Sequence, residues 1–367
     1  MKKLKICVYA ISKNESSFVS RWVESMKEAD EIYVLDTGSQ DDTVEKLERL
    51  GVHVIQKEIV PWRFDVARNE SLKMVPEDTD ICVCTDLDEL FDEGWRDVLE
   101  NLWLSQSITR LRYLYHWSFD EYGNPATTFH INKIHSRVGY IWKHPVHEVL
   151  EPENSFFETE VITNEIVLNH YPDKNKSRGS YLPLLEMSIL EDPDDDRNMH
   201  YLGREYMFYG KWNEAITTLH RHLNLPKATW KDERCASMRF LARCYAYQGF
   251  YEEAELWYQK AMKEAPYLRE GYLEMAFLKY TLKEYKEAYQ YVQDALLILE
   301  RSSSYINEPF AWDYHVYDLL SILCFQLHYE NESLMYAKKA FDMNPNDLRL
   351  QKNVEVIQNF LENKKSI

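Results

Sequence analysis

At 367 residues the chain is longer than one core of about 100 to 200 residues requires, so two domains are expected. A hydrophobic share of 45% with only 10 Gly and 12 Pro excludes long disordered or low-complexity segments. A net charge of -18, from 43 Lys+Arg against 61 Asp+Glu, excludes a general nucleic-acid binder, and acidic helix surfaces account for it.

Met1-Lys-Lys leads directly into LKICVYAI (4–11), a strand pattern too short for the apolar region of a signal peptide. No run of about 18 apolar residues occurs, so no transmembrane segment and a cytoplasmic location are expected. The first strand precedes a helical pattern through FVSRWVESM. EIYVLD (31–36) precedes TVEKLERLG, VHVIQ (52–56) precedes FDVARNESLKMV, and TDICVCTD (79–86) follows. This alternation predicts a parallel sheet covered by helices, which binds ligands at the carboxyl ends of its strands. Ser39 is expected to cap the second helix, and Gly51 to end it in the left-handed region. Cys82 and Cys84 alternate in one strand and share one face. With no C-x-x-C pair, the six cysteines read as reduced core residues. ITRLRYLYHW, TFHINKIH and TNEIVLNHY read as antiparallel strands that extend the sheet.

From about Tyr181 a different period takes over. Gly203, Ala242, Ala276 and Ser321 align, and Ala215, Ala254, Ala288 and Ser333 each stand 12 positions later. The clearest fragment is LARCYAYQGFYEEAELWYQKAMKEAP (241–266). This pattern resembles the tetratricopeptide repeat, in which small residues let the two helices of a unit cross closely. Four repeats are expected, the outer ones separated by insertions, with residues 347–362 as a capping helix. The domains are thus 1–178 and 179–367.

LDTGSQDDT (35–43) carries the D-T-G-S of aspartic proteases. Those enzymes need two carboxylates sharing a proton, and no second D-T-G or D-S-G occurs here. Asp36 also sits where a strand turns into a helix, so the protease reading is set aside. TDLDEL (85–90) leaves the fourth strand with two aspartates at i and i+2. They can aim into one cleft as hard oxygen ligands for a divalent ion and a phosphate ester.

ISKNES (11–16), VLDTGSQDDT (34–43), FDVARNESL (64–72) and TDLDEL (85–90) resemble, in order and spacing, the motifs of family 2 glycosyltransferases. GYIWKHPVHEVL (139–150), VLNHYPDKNKSR (167–178) and the segment 181–206 are similar to the branch fused to tetratricopeptide repeats, which includes the glycocin peptide S-glycosyltransferases. The resemblance covers nearly the whole chain. It implies a GT-A fold, a Rossmann-like α/β nucleotide-sugar-binding domain, followed by an all-α tetratricopeptide-repeat domain.

The resemblance also implies site roles at the matching positions. Asp36 accepts hydrogen bonds from the nucleotide base, with Ala10, Ser12 and Asn14 lining the same pocket. Arg68 faces the base or diphosphate, and Asp86 contacts the ribose. Asp88 and His170 hold Mn2+ or Mg2+, with His147 as competing ligand. Glu148 is the catalytic base, although the common E-D form of that motif is missing. Lys176 and Arg178 fold over the diphosphate or form a linker. Trp142, Trp117 and Trp62 are core residues or stack on sugar. His144 and His147 form an H-x-x-H pair, but one histidine pair without cysteines is not a closed zinc site.

The implied activity is inverting transfer from a UDP-sugar to a peptide, protein or glycan acceptor that the repeats help to select; the repeats could equally make a homodimer. Two alternatives stay open: a transferase acting on surface polysaccharide or lipid-linked glycan, and an inactive nucleotide-sugar-binding scaffold. A nucleotidyltransferase is disfavoured because ISKNES lacks a Gly-rich basic stretch.

Overall fold

The computed structural model describes residues 3–365 apart from 121, 154 and 174–178. It divides into two compact units, Met1–Pro193 and Asp194–Ile367. The change of pattern expected at residue 178 precedes this division because helix Tyr181–Glu191 stays with the first unit. The Tyr181 ring meets Phe64, and Arg63 pairs with Glu191 at 2.5 Å.

The first unit runs β1 (Ile6–Ser12), α1 (Val19–Met26), β2 (Glu31–Asp36), α2 (Thr43–Arg49), β3 (His53–Gln56), α3 (Phe64–Met74), β4 (Ile81–Cys84), β5 (Glu89–Phe91), α4 (Trp95–Gln106), β6 (Arg110–Phe119), β7 (Pro125–Ser136), β8 (Tyr140–Lys143), β9 (Val149–Pro152), β10 (Glu160–His170) and α5 (Tyr181–Glu191). Among the described residues, an eight-stranded sheet has the order β3-β2-β1-β4-β7-β6-β10-β5. The first four of these strands are parallel. β7 joins β4 antiparallel, β6 joins β7 antiparallel, and β5 closes the edge antiparallel to β10. β10 joins β6 in parallel, so of the three segments expected as antiparallel additions only TFHINKIH (β7) runs against the central strands, while β6 and β10 run with them. The β8–β9 hairpin forms a second, two-stranded sheet.

β1 is apolar at nearly every position because both of its faces are covered. Ile6, Val8 and Ala10 pack with Trp22 and Met26 of α1, Leu47 of α2 and Leu99 of α4. On the opposite face, Cys7 and Tyr9 pack with Cys82 and Cys84, with Leu72 of α3, and with Trp142 and Leu150 of the hairpin. All six cysteines are free and buried, as expected of reduced core residues. Gly51 ends α2 with φ 82°, where a side chain would strain the backbone.

The second unit consists of helix pairs α6 (Asp196–Phe208) with α7 (Trp212–Asn224), α8 (Lys231–Tyr247) with α9 (Tyr251–Glu264), α10 (Arg269–Thr281) with α11 (Tyr285–Leu296), and α12 (Tyr314–Gln326) with α13 (Glu330–Met343). A final helix, α14, spans Leu348–Lys365. The aligned small residues face one another as expected. A Cβ on Gly203 would lie 2.6 Å from the Leu219 side chain, which occupies the space a larger residue there would need. Ser321 and Ser333 each donate to the other's carbonyl, at 3.0 and 2.8 Å. The turn inside each pair holds one left-handed residue: Gly210, Gly249, Lys283 and His328. The long last interval is the segment 297–313, with a 3-10 turn at Pro309–Ala311. Among the described residues, no helix is long and apolar enough to cross a membrane.

Candidate active site

The carboxyl ends of β1 and β2 lie side by side because Ser12 pairs with Asp36 in the ladder. The loops beyond them are laced together. Asn14 N–H donates to Ser39 Oγ at 2.8 Å, and Asn14 Oδ1 accepts from Gln40 N–H at 2.7 Å. Glu15 N–H donates to Thr43 Oγ1 at 2.8 Å. Asn14 takes φ 56°, a conformation its short polar side chain tolerates.

Asp36 organises this corner. It is fully buried; Oδ1 accepts from the amides of Gly38 (3.1 Å) and Ser39 (2.9 Å), while Oδ2 accepts from Ser12 Oγ (3.0 Å) and from the Ser39 hydroxyl. A carboxylate has about four acceptor sites, so these four donors fill it. Ser39 therefore serves Asp36 and does not cap α2, whose first turn is instead held by Asp41 accepting from Thr43 N–H at 3.1 Å. Ala10 is buried in the sheet core, so its side chain lines no pocket.

TDLDEL forms the turn between β4 and β5. Thr85 is fixed from below, its hydroxyl accepting from Trp22 Nε1 at 3.1 Å. Asp86 projects toward α3, where the guanidinium of Arg68 meets both its oxygens at 2.9 and 3.1 Å. Arg68 is only 4% exposed, and its Nε also donates to Glu148. Asn69 explains how Glu148 gets there. It accepts from Trp142 N–H at 2.9 Å and donates to the Trp142 carbonyl at 2.8 Å, which anchors the hairpin onto α3.

Two residues of this network carried no sequence signal of their own. Lys133, in mid-β7, reaches Asp86 at 3.2 Å and Glu89 at 3.1 Å. Glu89 is 2% exposed; it accepts from Asp86 N–H at 2.9 Å and from the Tyr115 hydroxyl at 2.8 Å. Burial pushes the Glu89 carboxyl above its ordinary range although Lys133 pulls it down. Burial opposes the charge on Lys133 too, but Asp86 and Glu89 outweigh it and raise its pKa. Uncompensated charges at such burial would cost several kcal/mol each, roughly, which makes mutual pairing the condition for keeping them.

Asp88 meets His170 on the other side of the turn. β5 pairs with the end of β10, with His170 opposite Glu89, and this register brings His170 Nε2 to 3.5 Å from Asp88 Oδ2. His170 Nδ1 lies 3.0 Å from the Trp117 carbonyl, an acceptor, so Nδ1 carries the proton and Nε2 is directed at Asp88. Trp117 stacks on the ring at 4.5 Å and is 48% exposed. Burial lowers the His170 pKa, but Asp88 outweighs it and the net shift is upward.

The remaining candidates lie elsewhere. Trp142 is 3% exposed and donates from Nε1 to the Tyr9 hydroxyl at 2.9 Å, so it is core and offers no face to a sugar. Trp62 packs edge-on against Phe64. His147, at φ 49°, lies against Tyr181. Lys176 and Arg178 fall outside the described residues.

Among the described residues, no group of three or more His, Cys, Asp or Glu is arranged to hold a metal. The Asp88–His170 pair nevertheless offers a divalent ion one carboxylate oxygen and one imidazole nitrogen. Ions of the Mg2+ type are held by one or two protein ligands, with water and substrate phosphates filling the other positions.

Residues 7–125 match the model of the family Glycosyl transferase family 2. An uncharacterized glycosyltransferase of Rickettsia conorii is 36% identical over 110 residues, which are 29% of this chain and 36% of that protein. One from Rickettsia felis is 34% identical over the same shares. The chain thus spans about a third of the length of these curated relatives. Over the second unit, the Cut9–Hcn1 hetero-tetramer of the APC/C gives a TM-score of 0.41 at 16% identity, covering 51% of this chain and 33% of that one. A thermophilic tetratricopeptide protein of Thermus thermophilus gives 0.35 at 19% identity, covering 49% and 90%.

Proposed function

We propose that the chain is a glycosyltransferase that moves a sugar, with inversion, from a UDP-sugar to an acceptor side chain or glycan. The observation that supports this best is the turn Thr85–Glu89. It aims Asp86 toward Arg68, which also holds Glu148, and Asp88 toward His170, at the carboxyl end of the central parallel strands. The family match covers this turn and the three motifs before it.

In this reading the laced corner of Ser12, Asn14 and Asp36 holds the nucleotide base. Because Asp36 is saturated by its own chain, binding requires the Ser12 or Ser39 hydroxyl to turn away and leave a lone pair for a base N–H. Asp86 receives the ribose while Arg68 and Lys133 hold it in place. Asp88 and His170 would hold Mn2+ or Mg2+, and such an ion offsets charge developing on the departing diphosphate.

Glu148 removes the proton from the acceptor, whose freed electron pair forms the bond to the anomeric carbon. The bond from that carbon to the diphosphate oxygen breaks, and its electron pair leaves with UDP. Arg68 orients Glu148 through Oε1, which directs the second oxygen to the acceptor. The repeat unit selects the acceptor, a peptide or protein by the character of stacked helix pairs.

Glu148→Gln should leave UDP binding intact and slow transfer by at least about a hundredfold, the usual scale of general-base catalysis. Product formation at the normal rate, followed by mass spectrometry over a panel of nucleotide sugars, would remove Glu148 as the base.

A further inference from the structure

The turn Thr85–Glu89 alternates its side chains. Thr85 is buried against Trp22 of α1, and Leu87 belongs to the apolar cluster of Ile81, Val83 and Trp95. Asp86 and Asp88 turn instead to Arg68 and His170. Glu89 then closes the turn on Asp86: its N–H donates to the Asp86 carbonyl at 3.0 Å, and its Oε2 accepts from the Asp86 N–H at 2.9 Å. One residue thus satisfies both backbone groups of Asp86. Glu89 is itself held from two further strands, by the Tyr115 hydroxyl of β6 at 2.8 Å and by Lys133 of β7 at 3.1 Å.

Among the described residues, two cations and three carboxylates are joined here. Arg68 is shared between Asp86 and Glu148, and Lys133 between Asp86 and Glu89. With all five charged, one negative charge stays in surplus. Exposure decides where it shows: the Glu89 side chain is 2% exposed, that of Glu148 11% and that of Asp86 34%. The surplus is therefore presented at Asp86. Without the charge on Glu89 the count would balance, and Lys133 would turn wholly to Asp86. A carboxylate gripped by two unshared cations is a poorer acceptor for a hydroxyl, because the cations draw on the same lone pairs.

We propose that Glu89 is a positioning residue for nucleotide binding: by sharing Lys133 it draws that cation off Asp86, which keeps the negative charge to which a ribose hydroxyl donates. At its depth Glu89 does not itself reach a ligand. The inference rests on the assignment of Asp86 to the ribose. It differs from a purely structural role for the buried pair, which would lower the affinity for every nucleotide alike. A counterweight changes only the part of the affinity that the hydroxyl contributes.

Calorimetry on the full chain, comparing UDP with 2′-deoxy-UDP and 3′-deoxy-UDP, separates the two. The unaltered chain should prefer UDP over one of the deoxy forms by at least about tenfold, the scale of a hydrogen bond to a charged group. Glu89→Gln, folded by circular dichroism, should shrink that preference to about threefold or less. Glu89→Gln combined with Lys133→Met removes both charges of the pair, a replacement that buried pairs often tolerate, and should bring the preference back to about tenfold. If Glu89→Gln alone does not fold, the double variant decides. A preference kept in Glu89→Gln, or lost in the double variant, overturns the inference and leaves the ribose assignment standing. UDP bound by the unaltered chain without preference over either deoxy form removes the ribose assignment, and the inference with it.

Discussion

Both units pair buried charges across elements, but they differ in how much of the packing is local. In the first, Arg68, Asp86, Lys133 and Glu148 come from four separate elements, and each charge is tolerable only because a distant strand or helix supplies its partner. In the second, Arg239 of α8 likewise pairs with Glu274 of α10, but within a helix pair the contacts are local, as where Ser321 and Ser333, 12 residues apart, each donate to the other's carbonyl. A site assembled from afar is precise but depends on the whole unit. A stack of local contacts is redundant, and it can carry the inserted segment 297–313 between two of its pairs without losing its pattern.

That contrast makes the first prediction the largest. Arg68→Met leaves Glu148 without its buried counter-charge and Asp86 with Lys133 alone, and should destabilise the first unit by about 3 kcal/mol, the lower end of the usual cost of breaking a buried pair. Hydrogen exchange should show the loss across the sheet while the repeats keep their protection. A loss confined to α3 would mean that the network is less shared than its geometry implies.

Gly203→Ala is the counterpart in the second unit. The new Cβ meets Leu219 at 2.6 Å and should cost about 1 to 3 kcal/mol by overpacking. Exchange should rise in α6 and α7 and stay unchanged in α12 and α13. A global loss would break the picture of locally held pairs.

Mild acid should give the smallest effect, and in both units. Burial holds His135 in the first unit and His200 in the second down to about 3. The unfolded chain protonates these rings near their ordinary value of about 6.5 while the folded chain does not. The unfolded state therefore binds more protons, and stability falls as pH drops through the window between those values. The change from pH 7 to 6 should be under about 1 kcal/mol per ring. His200→Gln should flatten the profile of the second unit only, as followed by thermal unfolding at each pH.

What could be read from the chain divides along the same line. The repeats were legible because a small residue every helical pair leaves a periodic trace, and α6 to α13 follow it. The four motifs were legible because each is local: strand end, turn and helix start within a dozen residues. What escaped depends on register between distant strands. Nothing in TFHINKIH marks Lys133 as the partner of Asp86, since only the pairing of β7 with β4 brings it there. His170 was named on resemblance, and its approach to Asp88 follows from the antiparallel closure by β5, a strand of three residues with no pattern of its own. Ser39 looked like a helix cap because Ser before an acidic pair usually is one; the buried Asp36 carboxylate competes for its hydroxyl and wins. The segment 297–313 left only a lengthened interval as a trace, and Glu308 within it pairs with Arg239, 69 residues away and beyond any local pattern.

The central claim, that the turn Thr85–Glu89 builds a divalent-ion and nucleotide site, is tested most directly by calorimetry of UDP binding with and without manganese. The unaltered chain should bind UDP at least about tenfold more tightly with manganese, and Asp88→Ala should lose that difference while remaining folded. Equal UDP affinity with and without manganese, or manganese dependence retained in Asp88→Ala, would contradict the account.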